Sequence, residues 1–275
     1  STGGSIDFGT LSESRYWISS HASRTRGIWG GGGVHPSSPN KSNTIDYVTI
    51  ASTGNATNFG DLTVARYGTS SCSNQTRGIF AGGYEVPNST LDTIDYITIA
   101  TTGDAKDFGN LSVAGYYFTA CASSTRGVFL QRRSGSSPSY TYHNTIDYVT
   151  ISTQGNAADF GDATATGSSN CAASNSTRGI LAGNENGTVD TIQYVTISTL
   201  GNAADFGDLL SSGLFACAAA ASSTRAVIAG GYVSPTQVTD IQYVQIMTTG
   251  NGIDFGDLTT AIYSLGGCSN GHGGL

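Results

Sequence analysis

Thr93-Ile-Asp-Tyr-Ile-Thr-Ile99, a Thr102-Gly103 pair and Asp107-Phe-Gly109 follow one another in the second quarter of this chain. The first segment is β-branched and aromatic and lacks helix formers, so it reads as a strand, and the Thr-Gly pair that follows reads as a turn. Upstream, Arg77-Gly-Ile-Phe-Ala-Gly-Gly83 reads as a second strand, and the Ser- and Cys-containing run at 66–73 as a third. The residues leading into Phe108 supply a fourth. Working outward, the same signals return in the same order along the whole chain. An Asp/Asn-Phe-Gly tripeptide places Phe at 8, 59, 108, 160, 206 and 255, a period of about fifty residues. Thr-Arg-Gly recurs at 25, 76, 125 and 177, with Thr224-Arg225-Ala226 in the fifth copy. Four short strands in each repeat of this length are the mark of a β-propeller blade.

The expected fold is therefore all-β, a single β-propeller domain over 1–275 built from four-stranded blades. The complete repeats span approximately 12–62, 63–111, 112–163, 164–209 and 210–258. A spare outer strand at 1–11 and a spare inner strand at 259–275 remain. They imply either a partial sixth blade that clasps the ring, hence five or six blades, or a piece of a longer protein. A propeller left open exposes strand edges, so the terminal strands need an explanation.

The repeat resembles the kelch family. The resemblance rests on Ala81-Gly82-Gly83 and Ala229-Gly230-Gly231, on Tyr47, Tyr96, Tyr148, Tyr194 and Tyr243, and on a Phe where kelch repeats usually carry Trp. The double glycine lapses to Leu130-Gln131 and Gly183-Asn184 in two copies, so the blades are kelch-like. Tandem units of the form Ile-Asp-Tyr-Val-Thr-Ile, Thr-Gly-Asn-Ala and Asp-Phe-Gly-Asp-Leu are also similar to repeats in virion proteins of tailed, especially marine, bacteriophages. That resemblance implies a tail-fibre or appendage protein on a virion surface.

Composition narrows the function classes. The chain has 275 residues, a formal charge of −7 and only 11% charged residues, against about 25% in ordinary soluble domains. An acidic chain with 12 basic side chains is a poor partner for nucleic acid, which demands concentrated Lys and Arg. No stretch of 18 apolar residues is present, so membrane insertion by a helix is not expected. Cysteine occurs once per strand a (Cys72, Cys121, Cys171, Cys217, Cys268), with His21 in the first copy. Without C-x-x-C spacing, these read as small apolar hub residues rather than metal ligands. No cofactor or metal site is expected. Four histidines, no G-x-S-x-G and no metal-ligand spacing give no catalytic constellation, and the chain is read as non-enzymatic.

Residues repeated at one position per blade read as scaffold. They are Arg26, Arg77, Arg126, Arg178 and Arg225, and Phe8, Phe59, Phe108, Phe160, Phe206 and Phe255. Each Thr-Arg arginine is expected to act as an ion pair or carbonyl clamp, with the Asp before Phe-Gly as an available partner. The Asp of Ile-Asp-Tyr is a poorer candidate, since it becomes Gln193 and Gln242 in the last two copies. A ring of arginines gripping an anion is the alternative.

The loops between strands b and c differ from copy to copy and hold every proline of the chain. In a propeller they emerge on one face, and variable loops on a uniform scaffold are where binding sits. The candidate ligand residues are His35, Tyr84, Glu85, Arg132, Arg133, Tyr140, Tyr142, His143, Asn184, Glu185 and Tyr232. Aromatic, Asn and Arg side chains suit sugars or protein epitopes. The expected function is an extracellular or virion-surface module that presents this face to a host glycan or protein. The alternatives are a structural subunit contacting neighbouring virion subunits, and a secreted sugar-binding lectin.

Overall fold

The computed structural model describes residues 7–34, 40–85, 89–187, 189–264 and 266–267. It is all-β, with five four-stranded antiparallel blades arranged as a propeller. Strands a to d of blade I are Ser19–Ala22, Arg26–Gly30, Thr44–Thr49 and Thr57–Asp61. Blade II has Ser70–Ser73, Arg77–Ala81, Thr93–Thr98 and Lys106–Asn110. Blade III is the largest, with Thr119–Ala122, Arg126–Ser136, Ser139–Thr150 and Ala158–Gly167. Blade IV comprises Cys171–Ser174, Arg178–Ala182, Thr191–Thr196 and Ala204–Asp208. Blade V comprises Ala218–Ala221, Arg225–Ala229, Asp240–Gln245 and Ile253–Asp257. Each of the five blades runs a-b-c-d in order. Strand a starts later than the sequence suggests, because residues 66–69 form a linker with its own work.

Period-two alternation gives each blade two apolar faces, and the core lies between blades. Ile28, Ile45 and Phe59 on one side of blade I pack with Phe80, Ile97, Ile99 and Ala105 of blade II. The same positions meet across the next three interfaces, for example Ile79, Ile94 and Phe108 against Phe129, Val149 and Ile151. Backbone bonds reinforce each interface at the rim. Gly103 and Ala105 in the c–d turn of blade II donate N–H to the carbonyls of Phe59 and Asp61 on strand d of blade I, at 2.7 and 2.8 Å. Blades III, IV and V repeat this clamp on their predecessors.

The repeated arginines are carbonyl clamps. Arg26, Arg77, Arg126 and Arg178 donate from Nη1 to the carbonyls of Ile99, Ile151, Ile197 and Ile246 of the following blade, at 2.6–3.0 Å. Each guanidinium also lies over the strand c tyrosine of its own blade, 4.1–4.5 Å from the centroid, as does Arg225 over Tyr243. That tyrosine meets the Phe of strand d edge to face, at 5.8–6.0 Å. An Arg–Tyr–Phe stack therefore crosses strands b, c and d of every blade.

One expectation about partners is corrected. Among the described residues the Thr-Arg arginines form no ion pair with the Asp before Phe-Gly. Asp7, Asp159, Asp205 and Asp254 instead accept the N–H of the glycine two residues on, at 3.0–3.2 Å. The strand c carboxylates are the ones that pair, and with arginines from elsewhere: Asp46 with Arg15, Asp95 with Arg66 at 3.0 Å and Asp147 with Arg132 at 2.8 Å. All six side chains are withdrawn from solvent, where an uncompensated charge is costly.

The Gln substitutions follow from the same chemistry. Arg15 and Arg66 stand in the linker after strand d, where the next copies carry Gly115, Gly167 and Gly213. In blade III the guanidinium comes from Arg132 on strand b, whose stem fills the space beside Gly115. In blade IV the space beside Gly167 is taken by Asn184, and the strand c residue becomes neutral Gln193, accepting from the Thr164 N–H.

Strand a lines a narrow axial channel of about 220 Å³ with small side chains. The thiols of Cys72, Cys121, Cys171 and Cys217 are free and buried, and Cys171 Sγ lies 2.8 Å from Cys217 Sγ. Cys268 lies outside the described residues. The glycine of Thr-Arg-Gly answers the side chain on the preceding blade: a Cβ on Gly78, Gly127 or Gly179 would stand 2.0–2.6 Å from His21, Cys72 or Cys121. Where blade IV offers only Ala173, blade V carries Ala226.

Candidate functional site

One residue in each d–a linker turns the backbone into the left-handed region: Trp17, Gly68, Tyr117, Ser169 and Ala216, at φ 52–64°, with Ser264 (φ 57°) after blade V. Only Gly68 adopts this without side-chain strain. The non-glycine residues are held by a chain of backbone bonds around the mouth of the axial channel. Gly68 donates to Trp17, Tyr117 to Gly68, Ser169 to Tyr117, Ala216 to Ser169 and Ser264 to Ala216, at 2.6–3.1 Å.

This course of backbone carries aromatic side chains at the mouth. Trp17, Tyr117, Phe215 and Tyr263, with Arg133, Glu185, Ser169 and Asn170, line a shallow cavity of about 270 Å³. Trp17 packs against Tyr16, Tyr67 and Tyr117 at 4.8–5.1 Å, and the cluster continues through Tyr116 to Tyr84. Trp17 and Tyr263 stay 42% and 47% exposed, so apolar ring faces are offered to solvent. Burial pushes the Tyr117 phenol far up and the Tyr67 phenol up to about 12, so both remain neutral hydrogen-bonding groups.

Arg133 is the charged centre of this face. Its Nη1 donates to Glu185 Oε1 at 2.7 Å, and its guanidinium lies 4.5–5.1 Å from the centroids of Tyr116, Tyr117 and Tyr140. Glu185 also accepts from Ser168 and Ser169 at 3.1 and 2.6 Å. Nearby, Lys41 Nζ sits over Tyr67 and Tyr84, 5.0 and 4.6 Å from their centroids.

The structure distributes the loop residues expected from sequence unevenly. Tyr84, Arg133, Tyr140, Glu185 and Tyr232 join the aromatic face, Tyr232 through Phe215 and Tyr263 at 5.3 and 5.6 Å. Glu85 lies close enough to Lys41 to oppose the lowering of its pKa, and Tyr142 stands opposite Arg133 across the blade III hairpin. His143 Nε2 bonds Ser134 Oγ at 2.8 Å on the blade III hairpin, and burial together with Arg132 lowers its pKa. Arg132 and Asn184 are buried and serve the scaffold. His35 lies outside the described residues. Among the described residues no group of three or more His, Cys, Asp or Glu could hold a metal ion.

Sequence reasoning missed Trp17, Tyr67, Tyr117, Phe215 and Tyr263, which lie in the d–a linkers rather than the b–c loops. A signal was present: eight residues after the Phe of Phe-Gly stand Tyr16, Tyr67, Tyr116 and Tyr263, with Phe215 nine after Phe206.

No protein-family model matches this chain, and no curated protein matches it either.

Proposed function

We propose that this propeller is a non-catalytic binding module that holds a carbohydrate at the aromatic mouth of its axis. The observation that carries the reading is the exposed Trp17 and Tyr263 flanking a cavity that also contains Arg133, Glu185, Ser169 and Asn170. Flat aromatic faces receive the C–H side of a sugar ring, and fixed polar groups at the edge orient its hydroxyls. The pre-stacked Arg133 supports the same reading, since its donors are oriented before ligand arrives. The low charge and the likeness of the repeats to virion proteins favour an extracellular or virion-surface setting, with a host glycan as the ligand. A second reading, an assembly subunit, draws on the uncovered apolar flanks of blades I and V.

A glycan-array screen followed by calorimetric titration tests the proposal. Binding of a defined oligosaccharide, lost by at least tenfold in Trp17→Ala with an unchanged melting temperature, supports it. No binding across a broad panel, or full binding by Trp17→Ala, overturns it.

A further inference from the structure

Between blades V and I the ring holds two strand positions of a sixth blade, and they belong to opposite ends of the described chain. Phe8–Thr10 sits on the c–d turn of blade I as each outer strand sits on its successor: Gly54 and Ala56 donate to the carbonyls of Phe8 and Thr10, both at 2.8 Å, and Asn55 Oδ1 accepts from the Thr10 N–H. At the axis, Ser264 takes the sixth left-handed place. The blade V residue Gly231 donates to the Ile262 carbonyl at 2.9 Å, just as Gly83 donates to Gly115. Gly267 then lies against Ala219 of blade V and Gly266 near Ser20 of blade I. Phe8–Thr10 thus marks the outer position and Gly266–Gly267 the start of the inner one, and no described strand occupies the b and c positions between them.

Both flanks of this wedge are prepared for occupancy. Phe255 is 57% exposed, whereas Phe59, Phe108, Phe160 and Phe206 are 2–3% exposed. On the other side Ile50 is 46% exposed, against 0–2% for Ile99, Ile151, Ile197 and Ile246. Ile50 joins Phe8, Leu11, Trp29, Val48 and Ala56 in an apolar cavity of about 600 Å³. The polar partners of the repeat stand ready as well. Arg225 occupies the clamp position that in blades I to IV reaches the next blade's carbonyl. Thr259 stands where Thr63 and Ser112 cap the next blade's aspartate.

We propose that this wedge is a docking site for a two-stranded β-hairpin of the same repeat type, bearing Thr-Arg-Gly on its first strand and Ile-Asp-Tyr on its second. The hairpin arginine grips the Ile50 carbonyl, its tyrosine stacks on Phe8, its aspartate meets Thr259 and its last isoleucine carbonyl receives Arg225. The four closed interfaces define this complementarity, and it selects a b–c hairpin over an arbitrary apolar peptide. The docking completes the sheet and removes both exposed edges.

The test adds a fluorescent peptide of residues 74–100, which carries one b–c hairpin, to the intact protein. Expected are saturable binding, a blue shift of Trp29 emission, and at a hundredfold excess over the dissociation constant a rise in melting temperature of about 5–10 °C. The Arg77→Ala/Asp95→Ala peptide, or an Arg225→Ala protein, should bind at least tenfold more weakly. Since a free hairpin can fail to form, the same segment is also fused ahead of Ser1, so that it precedes Phe8 in chain order as strands b and c precede each strand d. If neither form raises the melting temperature nor shifts Trp29, the proposal is wrong. It is equally wrong if the protein alone forms a concentration-dependent dimer that buries Trp29, since the occupant is then a second copy.

Discussion

Arg132 and Asp147 meet at 2.8 Å with both side chains out of solvent, and Arg132 Nη1 also donates to the Val113 carbonyl at 2.9 Å. Replacing the arginine alone leaves a carboxylate buried without its counter-charge. Arg132→Met is therefore expected to cost about 3–5 kcal/mol in chemical denaturation. The double variant Arg132→Met/Asp147→Gln should recover most of that loss, because blades IV and V already use Gln at this position. Equal stability of the two variants would refute the account.

The steric pairing at the hub makes a second prediction. A Cβ at Gly127 would lie 2.6 Å from Cys72 Sγ, so Gly127→Ala should destabilise by about 1–3 kcal/mol through overpacking. Cys72→Ala/Gly127→Ala recreates the Ala173 and Ala226 arrangement and should restore most of the melting temperature.

Clamp arginines should differ by position. Arg126 bonds the Ile197 carbonyl at 2.7 Å and stacks on Tyr148, so Arg126→Ala loses about 1.5–3 kcal/mol from the bond alone. Arg225 has the Tyr243 stack without a following blade's carbonyl among the described residues, so Arg225→Ala should cost only about 0.5–1 kcal/mol. Denaturant melts of the two variants side by side measure the difference.

Lys41 gives the stability a pH dependence. Burial lowers its ammonium to about 8, with Glu85 opposing the shift. Below that pH the lysine is charged in both folded and unfolded chains. Between about 8 and the ordinary value of 10.5, the folded chain has released the proton and the unfolded chain still holds it, so stability from this group rises with pH. Lys41→Met should flatten that rise relative to the wild type when melting is followed from pH 7.5 to about 10.5.

The hub thiols should be inert in the native protein. Burial pushes Cys121 up to about 12 and Cys72 higher still, and the thiolate is the reactive form. Iodoacetamide at pH 8 should leave Cys72 and Cys121 unmodified by peptide mapping until denaturant is added. Rapid native labelling of either would contradict their placement.

Much of this architecture was legible because a repeat displays its constraints several times. The β-branched and aromatic make-up of Thr93-Ile-Asp-Tyr-Ile-Thr-Ile and the run Arg77-Gly-Ile-Phe-Ala identified strands, and their recurrence every fifty residues or so identified blades. The clamp role of Arg77 was among the readings available, because one arginine per blade at a fixed register implies an equivalent contact each time. Its carbonyl partner was not legible: Ile151 lies 74 residues away in sequence.

By itself the sequence determined strand type, order and period, since these depend on local side-chain pattern and turn residues. Only the tertiary structure decided which charges pair and where the aromatic face lies. Asp147 finds Arg132, whereas Asp95 finds Arg66 from a different element, because pairing follows where a guanidinium has space and not its place in the repeat. Trp17, Tyr117, Phe215 and Tyr263 come from four separate linkers and converge only because the blades close about one axis. Local pattern fixes the conformation of a segment; convergence of distant segments depends on the packing that brings them together.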